Sequence, residues 1–152
     1  MKIKVLWVGK TKEPAIESLT AEYVKRISRY APLEANALRD ESAVLQNVGA
    51  VPSQKKFSTQ KSILVLMDSR GKQFSSEEFA RFLGGHFERN PVPLAFAIGP
   101  ADGFSDEARV AAQHLISLGR MTLPHELARI VLLEQLYRAL TILKGHPYHC
   151  GH

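Results

Sequence analysis

Cysteine and long apolar runs are scarce in this sequence, and both absences limit what the protein can be. The chain of 152 residues contains a single cysteine, Cys150, which excludes an internal disulfide framework and suits a reducing compartment. Its first apolar run is broken by Gly9 and Lys10, too early for a signal peptide. No stretch approaches the roughly 20 apolar residues of a membrane span. We therefore expect a cytoplasmic protein that forms one domain over residues 1–152.

Complete nucleotide-binding and metal-binding motifs are also missing. A phosphate loop would need a glycine five residues before the Gly-Lys pair of VGKT, and Lys4 stands there. The Gly99-x-x-x-Gly103 spacing does not match the G-x-G-x-x-G fingerprint of dinucleotide-binding proteins. His146 and His149 have no partner at the spacing of a metal site, other than the neighbouring cysteine. We therefore expect no bound metal.

Positive charge is the clearest feature of the composition that is present. The chain has 20 Lys and Arg residues against 15 Asp and Glu residues, a formal net charge of +5. Such a balance fits a nucleic-acid partner, but many basic proteins bind none. The charge alone therefore leaves both possibilities open.

Apolar runs alternate with helical patterns along the chain. Four strands are predicted, at Ile3–Val8, Leu33–Leu38, Ser62–Met67 and Pro93–Ile98. Helices are predicted from Pro14, over 43–48, from a Ser75–Glu78 capping box to Glu88, from Asp106 to Leu118, and from Pro124 onwards. A turn is expected at 69–72 and a short extended piece at 120–123. The continuous apolar strands predict an α/β fold with a parallel sheet flanked by helices.

The loop that follows the strand at 93–98 is rich in glycine. Ligands of parallel sheets bind beyond the carboxyl ends of the strands, so the loops after Met67 and Ile98 are candidate binding loops. Gly99 and Gly103 lie within five residues, and glycine costs backbone entropy on folding. The loop is either a tight strand-to-helix turn or a place where a ligand approaches the backbone closely.

The helix predicted after Pro124 carries two arginines that do not share a face. Arg129 and Arg138 are nine residues apart, which places them on nearly opposite sides of a helix with 3.6 residues per turn. One of them is therefore expected to lean towards the apolar face or a partner, where it needs an acceptor. Glu134 precedes Arg138 by four residues, the favourable order for an ion pair.

Three motifs together give the chain a resemblance to a known family. The stretches IGPADG, SLGRMTLPHELARIVLLEQLYRA and HPYH resemble the ribosomal RNA large-subunit methyltransferase H family, of the SPOUT class. The resemblance implies a homodimer of α/β subunits with a deep trefoil knot near the carboxyl terminus. It also implies transfer of a methyl group from S-adenosylmethionine to N3 of a pseudouridine in large-subunit ribosomal RNA, on the assembled ribosome.

The resemblance also assigns roles to individual residues. The implied cofactor-binding residues are Met67, Gly99, Pro100, Gly103, Leu118, Gly119, Arg120, Met121, Thr122 and Leu123. The implied catalytic residues are Arg138, which would hold a phosphate or base carbonyl, Tyr148, which would stack on or hydrogen-bond the base, and His149, which would act as a base.

The sequence departs from the family pattern at two places. Pro100 stands where the family usually has a second glycine, and proline removes one N–H donor and fixes φ. The tail Cys150-Gly151-His152 replaces a usual Lys or Arg. Three alternatives therefore stay open: a related enzyme with another RNA target, a non-catalytic RNA- or ribosome-binding protein that retains the fold, and a small-molecule-binding α/β domain. A dimer is expected from the aliphatic face of the helix at 124–143.

Overall fold

The computed structural model describes residues 1–50 and 61–149. The strands are β1 (Ile3–Val8), β2 (Leu33–Leu38), β3 (Ile63–Gln73), β4 (Leu94–Ile98) and β5 (His114–Ser117). The helices are α1 (Pro14–Ser28), α2 (Glu41–Asn47), α3 (Ser76–Arg89), α4 (Asp106–Ala111) and α5 (His125–Lys144), and a 3₁₀ turn follows at Pro147–His149.

The strands form one parallel sheet in the order β2-β1-β4-β3-β5. Ile3 pairs with Leu33 on one side and with Leu94 on the other, and Ile63 also pairs with Leu94. This confirms the predicted parallel α/β sheet. All five carboxyl ends consequently meet at one edge of the sheet, where the predicted binding loops begin.

The central strand explains why the apolar runs are continuous. All five residues of β4 are buried, and alternate side chains point to opposite faces of the sheet. Phe96 packs on the face covered by α1, α3 and α5, whereas Ala95 and Ala97 pack on the face covered by α2 and α4. A strand buried on both faces has no solvent side that would favour polar residues.

The predicted turn at 69–72 is wrong, because β3 continues through it to Gln73. The strand shifts its register against β5, so that Ile116 pairs with both Met67 and Lys72. Gly71 makes this crossing possible: a Cβ there would lie 2.5 Å from the backbone nitrogen of Ile116. The Ser-Arg-Gly-Lys composition suggested a turn, but strand pairing over a long distance in sequence overrides that local preference.

The helix predicted over 106–118 is also wrong, since α4 ends at Ala111 and β5 follows. Gln113 forms the boundary. Its backbone N–H donates to the Leu64 carbonyl at 3.0 Å, and its side-chain oxygen accepts from the Leu64 N–H at 2.8 Å. Pairing with β3 therefore ends the helical pattern. The stretch 120–123, predicted as extended, is a loop with bends.

The remaining predicted helices are confirmed. Ser75 and Glu78 form the capping box at the start of α3. Pro124 is the N-cap of α5, and Gly145, with φ of 71°, ends that helix in the left-handed conformation. The helix expected at 43–48 forms at Glu41–Asn47. Within residues 1–50 and 61–149, no helix has the length and apolar content that a membrane crossing needs.

Candidate functional site

Three loops at the carboxyl edge of the sheet enclose a cavity of about 210 Å³. We call the segment 67–69 of β3, at the register shift of that strand, the first loop; the other two loops follow β4 and β5. The first turns of α5 close one side of the cavity. Nine of the ten predicted cofactor-binding residues line the cavity: Met67, Gly99, Pro100, Gly103, Leu118, Gly119, Met121, Thr122 and Leu123. Arg120 is not part of its wall. Seven further residues of the wall were not predicted from the sequence. They lie in or next to the same three segments and at the start of α5: Asp68, Ser69, Ile98, Ala101, Ser117, His125 and Ala128.

The loop after β4 is a turn that needs its glycines. The Gly103 N–H donates to the Pro100 carbonyl at 2.8 Å, and Gly103 adopts a φ of +82°, which favours glycine. At Gly99 a Cβ would lie 3.2 Å from the Phe104 ring. Pro100 contributes its carbonyl to the turn, so the N–H that proline lacks is not required to build it.

The third loop is fixed by a serine at the end of β5. The Ser117 hydroxyl donates to the Gly119 carbonyl at 2.9 Å and accepts from the Gly119 N–H at 3.2 Å. Gly119 has a φ of +139°. This small closed motif directs the backbone of 118–123 across the mouth of the cavity.

Among residues 1–50 and 61–149, Asp68 is the only acidic side chain in the cavity wall. It accepts from the Arg70 backbone N–H at 2.9 Å and from Arg109 Nε at 2.8 Å, and its side chain is only 4% exposed. Burial raises the pKa of this carboxyl, but the hydrogen bonds and charges of Arg70 and Arg109 outweigh burial and lower it below its usual value. Asp68 is therefore ionised and anchors the first loop to α4. An acidic residue directly after the apolar run 62–67 was the signal in the sequence.

Two of the predicted catalytic residues meet around Glu134. Arg138 donates to Glu134 Oε1 from Nη2 at 2.6 Å and from Nε at 3.0 Å, which confirms the predicted ion pair. The Tyr148 hydroxyl donates to the same oxygen at 3.2 Å, and the Arg138 guanidinium lies 5.2 Å from the centre of the Tyr148 ring. Burial first, and then the negative charge of Glu134, raise the pKa of Tyr148 to about 12. His149 lies in the 3₁₀ turn beside Tyr148, and its side chain lies outside what the structure describes.

None of these residues lines the cavity of its own chain. Ala128 lines the cavity, and Arg138 lies nearly three turns further along α5, about 15 Å away at 1.5 Å per residue. One chain thus holds the two predicted halves of the site apart. Within residues 1–50 and 61–149, the structure contains no group of three acidic, histidine or cysteine side chains that could hold a metal ion.

The chain is similar over its whole length to known methyltransferases. A family model described as "Predicted SPOUT methyltransferase" matches residues 1–149. The proteins named ribosomal RNA large subunit methyltransferase H from Koribacter versatilis and Geobacter sulfurreducens are 53% and 45% identical. The first match covers 100% of both chains, and the second covers 98% of this chain and 99% of the relative.

Solved structures share the fold at low sequence identity. A probable methyltransferase from Bordetella pertussis Tohama I superposes with a TM-score of 0.60 at 12% identity, over 91% of this chain and 93% of that one. A probable methylase family protein from Haemophilus influenzae superposes with a TM-score of 0.58 at 12% identity, over 99% and 71%. The sequence and the fold therefore agree that this chain belongs to the SPOUT methyltransferase family, in its ribosomal RNA large subunit methyltransferase H group.

Proposed function

We propose that this chain, as a cytoplasmic homodimer with one domain per subunit, methylates N3 of a pseudouridine in large-subunit ribosomal RNA with S-adenosylmethionine as methyl donor. The observation that carries the proposal is the three-loop cavity at the carboxyl edge of the sheet, in a chain of this family. The relatives with 45% and 53% identity are named as methyltransferases of large-subunit ribosomal RNA.

The chemistry of the cavity fits this cofactor. Met67, Ile98 and Leu118 supply apolar wall, which suits the faces of an adenine ring. Gly99 and Gly119 leave backbone groups uncovered by side chains, which suits the polar edge of the base. When bound, the cofactor supplies a methyl group that is already activated for displacement. The protein then has to position the target nitrogen and manage its proton.

We also propose the carboxyl-terminal trefoil knot that the resemblance implies. In its support, Gly71 passes the Ile116 backbone too closely for any side chain, at the place where β5 joins the edge of the sheet beside β3. The loops that would form the knot are the same three that line the cavity. A knotted arrangement would hold those loops together without a disulfide.

The separation of the two halves of the site supports a dimer. Arg138 lies about 15 Å along α5 from Ala128 of its own cavity, and neither Arg138 nor Tyr148 lines that cavity. We therefore propose that they reach a cavity from a partner chain. A surface for that partner is present on α1 and α5. Leu19 and Leu127 are 42% and 47% exposed, and Tyr23 packs edge-on against Tyr137 further along the same two helices. In this arrangement each site would combine the cavity of one subunit with the cluster of the other.

Each residue of the cluster then has a distinct task. Arg138 would hold a phosphate or a carbonyl of the target base through its planar fork. Tyr148, whose pKa is raised, would stay protonated and stack on the base or donate a hydrogen bond rather than act as a base. His149 would accept the proton from N3 near neutral pH.

Mixed dimers test the composite site. One variant, Arg138→Ala, removes the arginine of the cluster. A second variant, Ala128→Trp, places a large side chain in the cavity. Calorimetry must show that the second variant folds but no longer binds S-adenosylmethionine. Each variant alone should be inactive. Mixing them in equal amounts should restore about a quarter of wild-type activity, because half of the dimers are mixed and each mixed dimer has one intact site. If the site lies within one chain, mixing restores nothing.

Calorimetry of the wild-type protein tests the cofactor itself. Micromolar binding of S-adenosylmethionine, about −8 kcal/mol, is expected, followed by methyl transfer to large ribosomal subunits in the same preparation. Absence of binding together with retained binding to ribosomes would replace the enzyme by the non-catalytic RNA-binding alternative.

A further inference from the structure

A buried arginine without a carboxylate partner stands out beside the catalytic edge. Arg129 is only 2% exposed, as the sequence predicted for one of the two arginines of α5. Its Nη1 donates to the hydroxyls of Thr11 at 2.8 Å and Thr20 at 3.2 Å, and its guanidinium lies 4.1 Å from the centre of the Trp7 ring. Among residues 1–50 and 61–149, no carboxylate forms an ion pair with it.

Two buried donors at this place have no acceptor. Arg129 Nε and Trp7 Nε1 are both inaccessible and without a hydrogen-bond partner within the described part of the chain. A guanidinium has five N–H donors, and hydroxyl oxygens accept only from Nη1 here. Burial lowers the pKa of Arg129, and the charge of Glu126 offsets this only in part. A buried cation with unused donors is costly, which indicates that an anionic acceptor is missing.

The arginine lines an open pocket of about 450 Å³. Lys10 and Thr11 enter the pocket from the loop after β1, and Thr20 and Ala21 come from α1. The exposed carboxylate of Glu17 also borders it. The loop is held by Glu126, which accepts from the backbone N–H groups of residues 12 and 13, both at 3.2 Å. The pocket is therefore placed by the fold and carries two cationic side chains against one exposed carboxylate.

The pocket lies close to the proposed methyl-transfer site. The pocket lies beyond the carboxyl ends of β1 and β2, at the same sheet edge as the three-loop cavity. Ala128 lines the cavity and the next residue, Arg129, lines the pocket. The first turns of α5 thus separate two openings that face the same edge. An RNA strand bound at one would pass close to the other.

We propose that this pocket binds a phosphate group of the RNA backbone, with Arg129, Lys10 and the Thr11 hydroxyl as its ligands. The inference rests on the proposed function for the identity of the RNA. The planar guanidinium matches phosphate geometry, and a backbone contact of this kind positions the RNA without reading its sequence. None of these three residues lines the three-loop cavity.

Salt-dependent RNA binding tests the proposal on surface variants that leave Arg129 in place. Binding of a ribosomal RNA hairpin is measured at several salt concentrations for the wild type, Lys10→Gln and Thr11→Ala. The matched control is Lys61→Gln, an exposed lysine before β3 at the opposite edge of the sheet. Lys10→Gln should weaken binding and reduce the slope of log K against log[salt] by about 0.7 to 0.9, the loss of one phosphate contact. Lys61→Gln should leave the slope unchanged.

Trp7 provides a local readout because it is the only tryptophan of the chain. Its fluorescence should change when the hairpin binds, and not with inorganic phosphate at the same phosphate concentration. A response to inorganic phosphate alone would assign the pocket to a small free anion and overturn the RNA assignment.

Two further results separate this proposal from the proposed function. Lys10→Gln and Thr11→Ala could keep the wild-type affinity for the hairpin and the wild-type salt slope while methyl transfer proceeds normally. In that case the phosphate site is wrong, and the proposed methyltransferase activity is unaffected. If the wild-type protein binds S-adenosylmethionine but neither the hairpin nor ribosomes, both the proposed RNA substrate and the proposed phosphate site are contradicted.

Discussion

Gly71 and Ile116 approach each other so closely that a Cβ at Gly71 would lie 2.5 Å from the Ile116 backbone nitrogen. Backbone atoms on both sides of this contact belong to paired strands, β3 and β5, and neither can move without opening the sheet. The contact lies beside the cavity, since the neighbouring strand residues, Met67 and Ser117, are part of its wall.

We expect Gly71→Ala to lower the free energy of unfolding by about 2–3 kcal/mol or more, as overpacking against backbone does. Gly85→Ala is the control: its added Cβ would meet only the end of the flexible Arg89 side chain, and alanine is the better helix former by about 0.5–1 kcal/mol. Denaturant unfolding of the two variants measures both effects. Equal stabilities would show that β5 yields easily at this point.

Asp68→Asn should lower the free energy of unfolding by about 2 kcal/mol, because Asp68 is buried and its charged hydrogen bond to Arg109 is lost. Asp102→Asn, in an exposed part of the next loop, should change stability by less than about 0.5 kcal/mol. S-adenosylmethionine binding should weaken for Asp68→Asn, since Asp68 anchors the first loop of the cavity. Unchanged affinity would mean that the loop keeps its position without the ion pair.

The same carboxyl sets a pH dependence in acid. Its folded-state pKa lies below the ordinary value of 3.8, so its stabilisation is complete above about pH 4 and is lost as pH falls through the lowered folded-state pKa. The difference in stability between wild type and Asp68→Asn should therefore shrink in that acid range. A difference that stays constant down to the folded-state pKa would contradict the ionised assignment.

Tyr148 should titrate above the ordinary pKa of a tyrosine side chain. Its pKa of about 12 in the folded protein exceeds the ordinary value of 10.0, so the stabilisation is present below pH 10 and is lost as pH rises towards 12. Phenolate absorbance during an alkaline titration should show one group near 12 that disappears in Tyr148→Phe. Methyl transfer should show no activation by a phenolate near pH 10; such activation would make Tyr148 the base.

His149→Ala should lower the single-turnover rate of methyl transfer by about 10²–10⁴-fold if His149 accepts the proton, the usual contribution of general base catalysis. S-adenosylmethionine affinity should not change. An unchanged single-turnover rate would remove His149 from the mechanism, and His146→Ala serves as the control in the same tail.

Arg129→Met should lower the free energy of unfolding by no more than about 1 kcal/mol, because removing a buried cation offsets the loss of its hydrogen bonds. On the same helix, Leu132→Ala should cost about 2–5 kcal/mol, since Leu132 is fully buried in the core. If Arg129→Met is as damaging as Leu132→Ala, the guanidinium is retained for stability. The expected result would instead show that Arg129 serves binding and not stability.

Local patterns predicted most of the fold, and they failed where distant parts of the chain decide the structure. The capping box of α3 and the apolar run of β4 carry their information within a few residues. The boundary at Gln113 does not, because it depends on pairing with Leu64. Likewise, the spacing of α5 showed that one arginine would be buried but not which one, since that depends on Trp7 and Thr20 from elsewhere in the chain.

The resemblance supplied the candidate site, and the structure changed its geometry. Nine of the predicted cofactor residues line one cavity, although no local pattern links the segment 67–69 of β3 with the loops after β4 and β5. The distance between that cavity and Arg138 was not visible in the sequence, because the motif LPHELARIVLLEQLYRA reads as one continuous element. On α5 its two ends lie far enough apart to serve different sites.

The strand order β2-β1-β4-β3-β5 also affects when the chain can complete its binding cavity. β4 lies between β1 and β3, and β5 pairs with β3 at the edge of the sheet. Every strand pairing therefore joins segments that are distant in sequence. Topologies of this kind fold slowly. The cavity needs the loop of 118–123 and the start of α5, which follow all five strands along the chain. A chain that emerges from the ribosome therefore presents all five strands of the sheet before it presents the complete wall of the cavity.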